Sequence, residues 1–251
     1  MIVDDVTRTK TGIQGMDKAL SGGVPQGNLV LISGGAGTGK STLCLQFLIN
    51  GATLFGEKGL YISTEQSRKE LVRQASCFNW NIEALEQMNL LKVWYYDLFG
   101  DSDFPSKLDK VINEFKPKRL VIDSLTTLVD NLTLFSFSQD KPFSMVQIAE
   151  TVTPVPKTEK LMNKNILYRL FREIKKFGHT VFLTTELPEE NKTFSADGIS
   201  EFIADGVVLL RATAVGSQVD RTMQICKMRY TSMDGGIKSY SIDINGISLE
   251  M

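Results

Sequence analysis

Residues 34–41 read Gly-Gly-Ala-Gly-Thr-Gly-Lys-Ser, and this stretch decides how the rest of the chain is interpreted. It fits the phosphate-binding pattern G-x-x-x-x-G-K-[ST]. An apolar run at 28–33 precedes it, and a helical segment at 42–48 follows it. Glycines let backbone N–H groups converge on phosphate oxygens, and the start of the helix adds the positive end of its dipole. The stretch therefore predicts a nucleoside triphosphate site in a strand–loop–helix setting.

Residues 35–42, in and just after this loop, have predicted roles at the nucleotide. Lys40 is expected to meet the β- and γ-phosphates and to take part in catalysis there, and Ser41 is expected to ligate Mg²⁺. The further predicted nucleotide contacts are those of Gly35, Ala36, Gly37, Thr38, Gly39 and Thr42. A glycine turn without function is the alternative, and the flanking strand and helix argue against it.

The composition favours one domain that spans residues 1–251. With 251 residues and 42% hydrophobic content, the chain can bury one large core, and no linker or charge run divides it. A net charge of -1 offers no strong attraction to DNA. Cys44, Cys77 and Cys226 lack metal-ligand spacing, which favours a reduced, cytoplasmic setting. No stretch reads as a membrane span, and the polar start does not read as a signal peptide.

Apolar, strand-like runs alternate with amphipathic helical stretches over the first half of the chain. Strands are predicted at 59–65, 90–96 and 119–124, with helices at 67–79 and 105–115 between them. This alternation is typical of a mostly parallel sheet with helices on both faces, so the predicted class is α/β. Ligands of such sheets bind beyond the carboxyl ends of the strands.

The pattern changes in the second half of the chain. From Gly206 onward, three strand-like runs at 207–211, 222–229 and 238–243 follow one another without helices between them. They predict an antiparallel extension at the edge of the sheet. An irregular insertion is predicted at about 130–157, where three prolines lie.

Three strand ends carry candidates for chemistry. Asp123 follows a buried strand, where an aspartate is expected to complete the Mg²⁺ shell, although an acid there can also be a turn former. Glu65 is predicted to orient or deprotonate the attacking water, and the alternative is a surface glutamate that caps the next helix. Thr184 and Thr185 end another strand and are candidate sensors of the γ-phosphate, but threonine is also a common strand residue.

Several stretches together resemble the KaiC family. They are Thr11-Gly12-Ile13-Gln14-Gly15-Met16-Asp17, the run at 20–27 that leads into the phosphate loop, the run at 198–210, and Lys227-Met228-Arg229. The similarity spans nearly the whole chain, and 130–157 is the poorest match. The resemblance implies a RecA-type P-loop ATPase core that binds ATP with Mg²⁺. It also implies a homo-oligomeric ring, with a hexamer as one option, in which ATP lies between subunits.

The same resemblance implies that Lys227 and Arg229 act in trans on the γ-phosphate of the neighbouring subunit's nucleotide. Cations supplied there would stabilise the transferring phosphoryl charge. The alternative is a basic pair on a solvent-facing edge strand. The chain departs from the family pattern at Gln66, where many relatives have a second glutamate, and slow hydrolysis is therefore expected.

Three functions stay open on the sequence alone. The first is a slow ATPase whose nucleotide state sets oligomer or partner contacts. The second is a nucleotide-gated scaffold with negligible turnover. The third is a recombination accessory, related to the RadA recombinases, that binds single-stranded DNA through the aromatic and basic stretch at 130–157. DNA is the less favoured partner because the loop at 188–192 is acidic.

Overall fold

The computed structural model describes residues 6–97, 103–139, 155–187, 193–216, 218–233 and 235–250. The described strands are β1 Arg8–Thr9, β2 Val24–Pro25, β3 Leu29–Gly34, β4 Gly59–Ser63, β5 Leu91–Tyr95, β6 Arg119–Asp123, β7 Thr180–Glu186, β8 Gly206–Val215, β9 Gln218–Met228, β10 Ile237–Asp243 and β11 Gly246–Leu249. The described helices are α1 Met16–Ala19, α2 Lys40–Phe55, α3 Arg68–Ser76, α4 Ile82–Gln87, α5 Phe104–Phe115, α6 Leu125–Gln139, α7 Val155–Lys176 and α8 Ser200–Ile203.

Nine strands form one mixed sheet in the order β11-β10-β9-β8-β3-β7-β6-β4-β5. The six strands from β8 to β5 in this order are parallel. The strands β9, β10 and β11 are antiparallel and extend the β8 side. The predicted α/β class, with its antiparallel C-terminal extension, is confirmed. Strand β3, which leads into the phosphate loop, lies inside the sheet between β7 and β8.

Both faces of the sheet are covered, which explains why the middle positions of its central strands are apolar on both sides. Along β3, Val30 and Ile32 join the cluster on the α2 side, whereas Leu29 and Leu31 join the cluster on the opposite side. The first cluster is built with α1 to α4, and the second with α5, α6 and α7. A strand buried on both faces has no polar alternation, as is usual in parallel sheets.

The start of α3 follows from its sequence. The Ser67 side chain accepts a hydrogen bond from the Glu70 backbone N–H, and the Glu70 carboxylate accepts one from the Ser67 N–H at 2.8 Å. This capping box satisfies two of the N–H groups that a helix start leaves unpaired. The predicted helix at 67–79 is confirmed, with an earlier end.

The predicted irregular insertion at 130–157 is wrong over its first part. Helix α6 continues to Gln139, because Leu128 and Val129 are buried in the core and Leu132 packs against it. Helix α7 begins at Val155, and a proline in the first turn of a helix is tolerated. Residues 140–154 lie outside the described part of the chain.

The β8–β9 hairpin is longer than the sequence predicts. Strand β3 pairs with β8 only as far as Leu210, and β10 pairs with β9 only over 222–224. Among the described residues, 212–215 and 218–221 therefore pair only with each other and form a two-stranded arm. Because β8 runs parallel to β3, the arm extends beyond the end of the sheet that carries the phosphate loop. Within the described residues, no helix is long and apolar enough to cross a membrane.

Candidate active site

The phosphate loop connects the end of β3 to the start of α2, and its backbone needs glycine. A Cβ on Gly34 would lie 2.6 Å from the Leu210 carbonyl oxygen, closer than such atoms approach. Gly37 and Gly39 have φ angles of 72° and 90°, in the left-handed region that favours glycine. A side chain on Gly39 would also meet Ile242 of β10 at 2.8 Å. The sheet extension therefore packs directly under the loop.

Side chains hold the loop from within and from the extension. Lys40 Nζ donates to the carbonyl oxygens of Gly34 and Gly35, each at 2.9 Å. Thr38 Oγ1 donates to the Gly35 carbonyl at 2.9 Å. From β10, the Tyr240 hydroxyl donates to the Thr38 carbonyl at 2.5 Å, and burial raises the pKa of Tyr240 to about 12. The loop is thus held in shape by the chain itself.

Asp123 ends β6 and is buried with both carboxylate oxygens bonded. The Tyr61 hydroxyl donates to Oδ2 at 2.5 Å, and the Thr184 hydroxyl donates to Oδ1 at 2.5 Å. Thr184, a candidate γ-phosphate sensor in the sequence, contacts the aspartate in this structure. Tyr61 was not among the sequence candidates, because its place beneath Asp123 depends on the pairing of β4 with β6.

The oxygen donors at this point suit Mg²⁺. Ser41 is the second residue of α2, directly after the phosphate loop. Asp123 ends β6, at the same end of the parallel sheet. Mg²⁺ prefers hard oxygen ligands and usually binds through one or two carboxylates together with phosphates and waters. The described residues contain no group of three or more His, Cys, Asp or Glu that could hold a metal by themselves. Ser41 and Asp123 would therefore hold Mg²⁺ only together with a nucleotide.

Glu65 follows β4 at the same end of the sheet and is exposed. Its Oε1 accepts hydrogen bonds from Ser124 Oγ at 2.5 Å and from Thr127 Oγ1 at 2.6 Å. Because Ser67 caps α3, Glu65 is not the cap of that helix, and the capping alternative is wrong. The next residue, Gln66, has a buried Oε1 without a hydrogen-bond partner among the described residues.

Thr185 lies beside the phosphate loop. Strands β3 and β7 are in register so that Ser33 is opposite Thr185 and Gly34 is opposite Glu186. The Thr185 hydroxyl is 3.2 Å from that of Thr126, at the start of α6. Asp123, Glu65 and Thr185 thus lie together at the carboxyl ends of the parallel strands, as the sequence predicts.

Lys227 and Arg229 lie at the other end of the sheet. Met228 is opposite Gly206 and Gly206 is opposite Val30, whereas Leu210 is opposite Gly34. Four residues of β8 separate the two levels, a distance of about 13 Å at the usual rise of a strand. Neither cation reaches the phosphate loop of its own chain in this structure.

Both cations have partners near α8. Lys227 Nζ donates to the carbonyl oxygens of Glu201, Phe202 and Ala204 at 3.0, 3.2 and 2.6 Å. These carbonyls belong to the end of a short helix, where a positive charge is favoured. Burial lowers the pKa of Lys227, and the neighbouring charge of Arg229 lowers it further.

Asp205 gathers the remaining charges at this end. Its Oδ1 accepts hydrogen bonds from Arg229 at 2.9 Å and from Lys175 at 2.8 Å. Its Oδ2 accepts one from the backbone N–H of Leu29, the first residue of β3, at 3.1 Å. The side chain is 7% exposed, so this buried carboxylate connects α7, the residue after β9 and the start of β3.

Arg221 is a further cation that the sequence analysis missed. It lies on the arm of β9, and its charge opposes the rise in the pKa of Tyr240, which contacts the phosphate loop. Its Nε is buried without a hydrogen-bond partner among the described residues. The long β8–β9 pairing brings it there, and strand alternation alone does not reveal that contact.

The sheet order, the phosphate loop after β3 and Asp123 at the end of β6 show that the molecule has a RecA-type P-loop NTPase fold. Comparison with known proteins agrees. The sequence model of the family described as "ATPase: KaiC" matches residues 9–135 and 139–251. The crystal structure of a KaiC-like protein from Pyrococcus horikoshii superposes with a TM-score of 0.79 at 30% identity, covering 98% of this chain and 100% of that one.

Curated relatives agree with this assignment. The circadian clock oscillator protein KaiC of Thermostichus vulcanus is 30% identical over 255 residues, which cover 98% of this chain and 44% of that protein. The protein of that name from Synechococcus elongatus is 28% identical over 254 residues, covering 97% of this chain and 44% of that protein. This chain therefore spans less than half the length of these relatives. It belongs to the KaiC family.

Proposed function

We propose that this chain binds ATP with Mg²⁺ and hydrolyses it slowly, in an oligomer where a neighbouring subunit completes each site. One observation carries the proposal. The phosphate loop, Asp123 and Glu65 meet at one end of the sheet, while Lys227 and Arg229 lie at the other. A site built from all of these residues needs a second copy of the chain. The choice of ATP rests on the family.

The residues divide the chemistry between them. The loop amides and Lys40 hold the phosphates, and Glu65 orients a water and accepts its proton as the water oxygen attacks the γ-phosphorus. The bond from that phosphorus to the bridging oxygen breaks, and ADP leaves. Mg²⁺ held by Ser41 and Asp123 would supply positive charge beside the phosphate oxygens. The hydroxyl of Thr185, which lies beside the phosphate loop, would contact the γ-phosphate.

The surroundings of Glu65 support slow turnover. Among the described residues both of its hydrogen bonds go to Oε1, which leaves Oε2 to face a water. The adjacent Gln66 is neutral and cannot share the proton.

The opposite end of the sheet supports completion in trans. A neighbour placed with this end against the phosphate loop would bring Arg229 to the γ-phosphate. Repeating that contact is head-to-tail, and such contacts close into rings when the rotation between subunits allows it. The nucleotide state would then control how tightly neighbours hold each other.

A mixing experiment tests the proposal most sharply. Lys40→Ala leaves a subunit with its own cations but no working loop, and Arg229→Ala leaves the reverse. Each variant alone is expected to lose turnover, by at least about 100-fold for Arg229→Ala. Mixed together, the two should recover part of the activity, because some interfaces then combine an intact loop with an intact Arg229.

The control is Arg172→Ala, which removes an exposed arginine from α7 and should leave turnover unchanged. ATP turnover per subunit is measured against protein concentration with excess Mg²⁺. Failure of the mixture to exceed either variant would contradict completion in trans. ATP binding without turnover in the wild-type protein at any concentration would instead favour the nucleotide-gated scaffold.

The DNA-binding alternative gains no support at the site. Residues 140–154, which are part of the stretch on which it depends, lie outside the described residues, and so does the acidic loop at 188–192 that argues against it.

A further inference from the structure

The Tyr61 hydroxyl occupies an unusual place in the interior of the molecule. Tyr61 lies on β4, its side chain is fully buried, and its ring belongs to the core cluster on the α2 side. Only its hydroxyl reaches a polar neighbourhood, where it donates to Asp123 Oδ2 at 2.5 Å. A phenylalanine would fill the same apolar space without this contact.

Asp123, which the Tyr61 hydroxyl contacts, is one of the two residues that would hold Mg²⁺, and Ser41 is the other. Tyr61 is on neither of their elements. Ser41 is the second residue of α2, Asp123 ends β6, and Tyr61 lies on β4, the strand that pairs with β6.

The bonds to Asp123 determine which way its carboxylate faces. Tyr61 takes one lone pair of Oδ2 and Thr184 takes one of Oδ1, from strands on the two sides of β6. Each oxygen keeps a second lone pair, and the carboxylate plane cannot turn without breaking one of these bonds. Partners of this kind, which hold a metal ligand without touching the metal, typically contribute 10- to 100-fold to metal affinity, as a rough guide.

We propose that Tyr61 is a positioning residue that holds Asp123 in the geometry that Mg²⁺ needs when nucleotide binds. This inference rests on the proposed function, and it specifies which buried group organises the metal site. Tyr61 takes no part in proton transfer and touches no substrate. Its hydroxyl acts through the carboxylate of Asp123.

The test compares nucleotide affinity with and without the metal. Binding of ADP and of a non-hydrolysable ATP analogue is measured in excess Mg²⁺ and in excess EDTA, for the wild-type protein and for Tyr61→Phe. In the wild type, Mg²⁺ is expected to tighten binding. In Tyr61→Phe that gain is expected to shrink by about tenfold, while affinity in EDTA stays as in the wild type.

A matched control is Tyr240→Phe, which also removes one buried hydroxyl near the nucleotide. Tyr240 bonds the backbone of the loop and not a metal ligand. Its loss should therefore change affinity by the same factor with and without Mg²⁺. Thermal unfolding of both variants in EDTA measures how much stability the loss of each buried hydroxyl costs.

The outcomes separate the inference from the proposed function. A full Mg²⁺ gain in Tyr61→Phe would overturn the positioning role, as would an equal loss of affinity with and without the metal. In either case the wild type would still bind nucleotide, so the proposed function would stand. Absence of nucleotide binding by the wild type would overturn both.

Discussion

The two ends of the parallel sheet carry complementary sets of charged groups. At the phosphate-loop end, hydroxyl groups hold two carboxylates, those of Asp123 and Glu65. At the opposite end, a carboxylate and helix carbonyls hold cations, chiefly Lys227 and Arg229. Each end is satisfied within the chain, yet neither contains everything that phosphoryl transfer uses. Under the proposed function, this difference means that the site is divided between two ends of one subunit and is assembled only between copies.

The largest effect is expected when the cation of the phosphate loop, Lys40, is removed. In Lys40→Ala, nucleotide affinity is expected to fall by about 1000-fold, because contacts of an ammonium with two phosphates are worth about 4 kcal/mol. The opposite end is untouched, so the fold should remain. Titration calorimetry with a non-hydrolysable ATP analogue and Mg²⁺ measures the effect. Lys164→Ala, on the surface of α7, is the control, and a similar loss in that variant would contradict the prediction.

Replacing the proposed base tests the same end without disturbing its shape. Glu65→Gln keeps an oxygen that can accept from Ser124 and Thr127, but it cannot take a proton. Turnover is expected to fall by about 100-fold or more with nucleotide affinity unchanged. Single-turnover measurements with saturating ATP check this. Glu83→Gln, at an exposed position, should leave the rate as it is, and normal turnover in Glu65→Gln would exclude Glu65 as the base.

At the opposite end of the sheet, a substitution of Asp205 is expected to lower the stability of the fold. Asp205→Asn keeps an acceptor for the Leu29 N–H but loses the charge that holds Arg229 and Lys175. The free energy of unfolding is expected to fall by about 2 kcal/mol, the value of hydrogen bonds to a charged group. Urea unfolding measures this. Asp220→Asn, on the exposed arm, is the matched control, and equal stability of the two variants would show that Asp205 is not a structural centre.

The smallest effect concerns pH. Burial raises the pKa of Tyr240 to about 12, above its value in the unfolded chain, so the neutral phenol stabilises the fold. This contribution is fully present below about pH 10 and is lost as pH rises towards 12. Wild type should therefore lose more stability than Tyr240→Phe across that range. The free energy of unfolding of both proteins is measured at about pH 9, about pH 10 and about pH 11. Equal losses of stability in the two proteins would contradict the prediction.

Much of the fold could be predicted because its signals are local. Apolar runs and the phosphate loop identify β3, β4 and β6, and the KaiC resemblance agrees with the observed class. The long arm of β8 and β9 could not be predicted, because its end depends on which neighbours stop pairing. The helix over 130–139 could not be predicted from the prolines of this segment, because all of them lie beyond Gln139, where the helix ends.

The site was predictable only in part, for the same physical reason. Lys40, Ser41, Asp123 and Glu65 come from motifs and strand ends, and the structure brings their elements to one edge. Tyr61 looks like any core residue in sequence, because its partner Asp123 is on a different strand. The distance of Arg229 from its own loop likewise depends on strand order, which a single sequence does not reveal.

Asp205 has one more consequence, for communication between subunits. One of its oxygens holds the first residue of the strand that ends in the phosphate loop, and the other holds Arg229. In a subunit that turned Arg229 towards its neighbour, Lys175 would be the cation that stays on the Asp205 carboxylate. That carboxylate also holds the first residue of β3, the strand that leads into the phosphate loop. Engagement at one interface would then alter the anchoring of the strand that serves the next. In a closed ring, such a sequence of steps would have a direction.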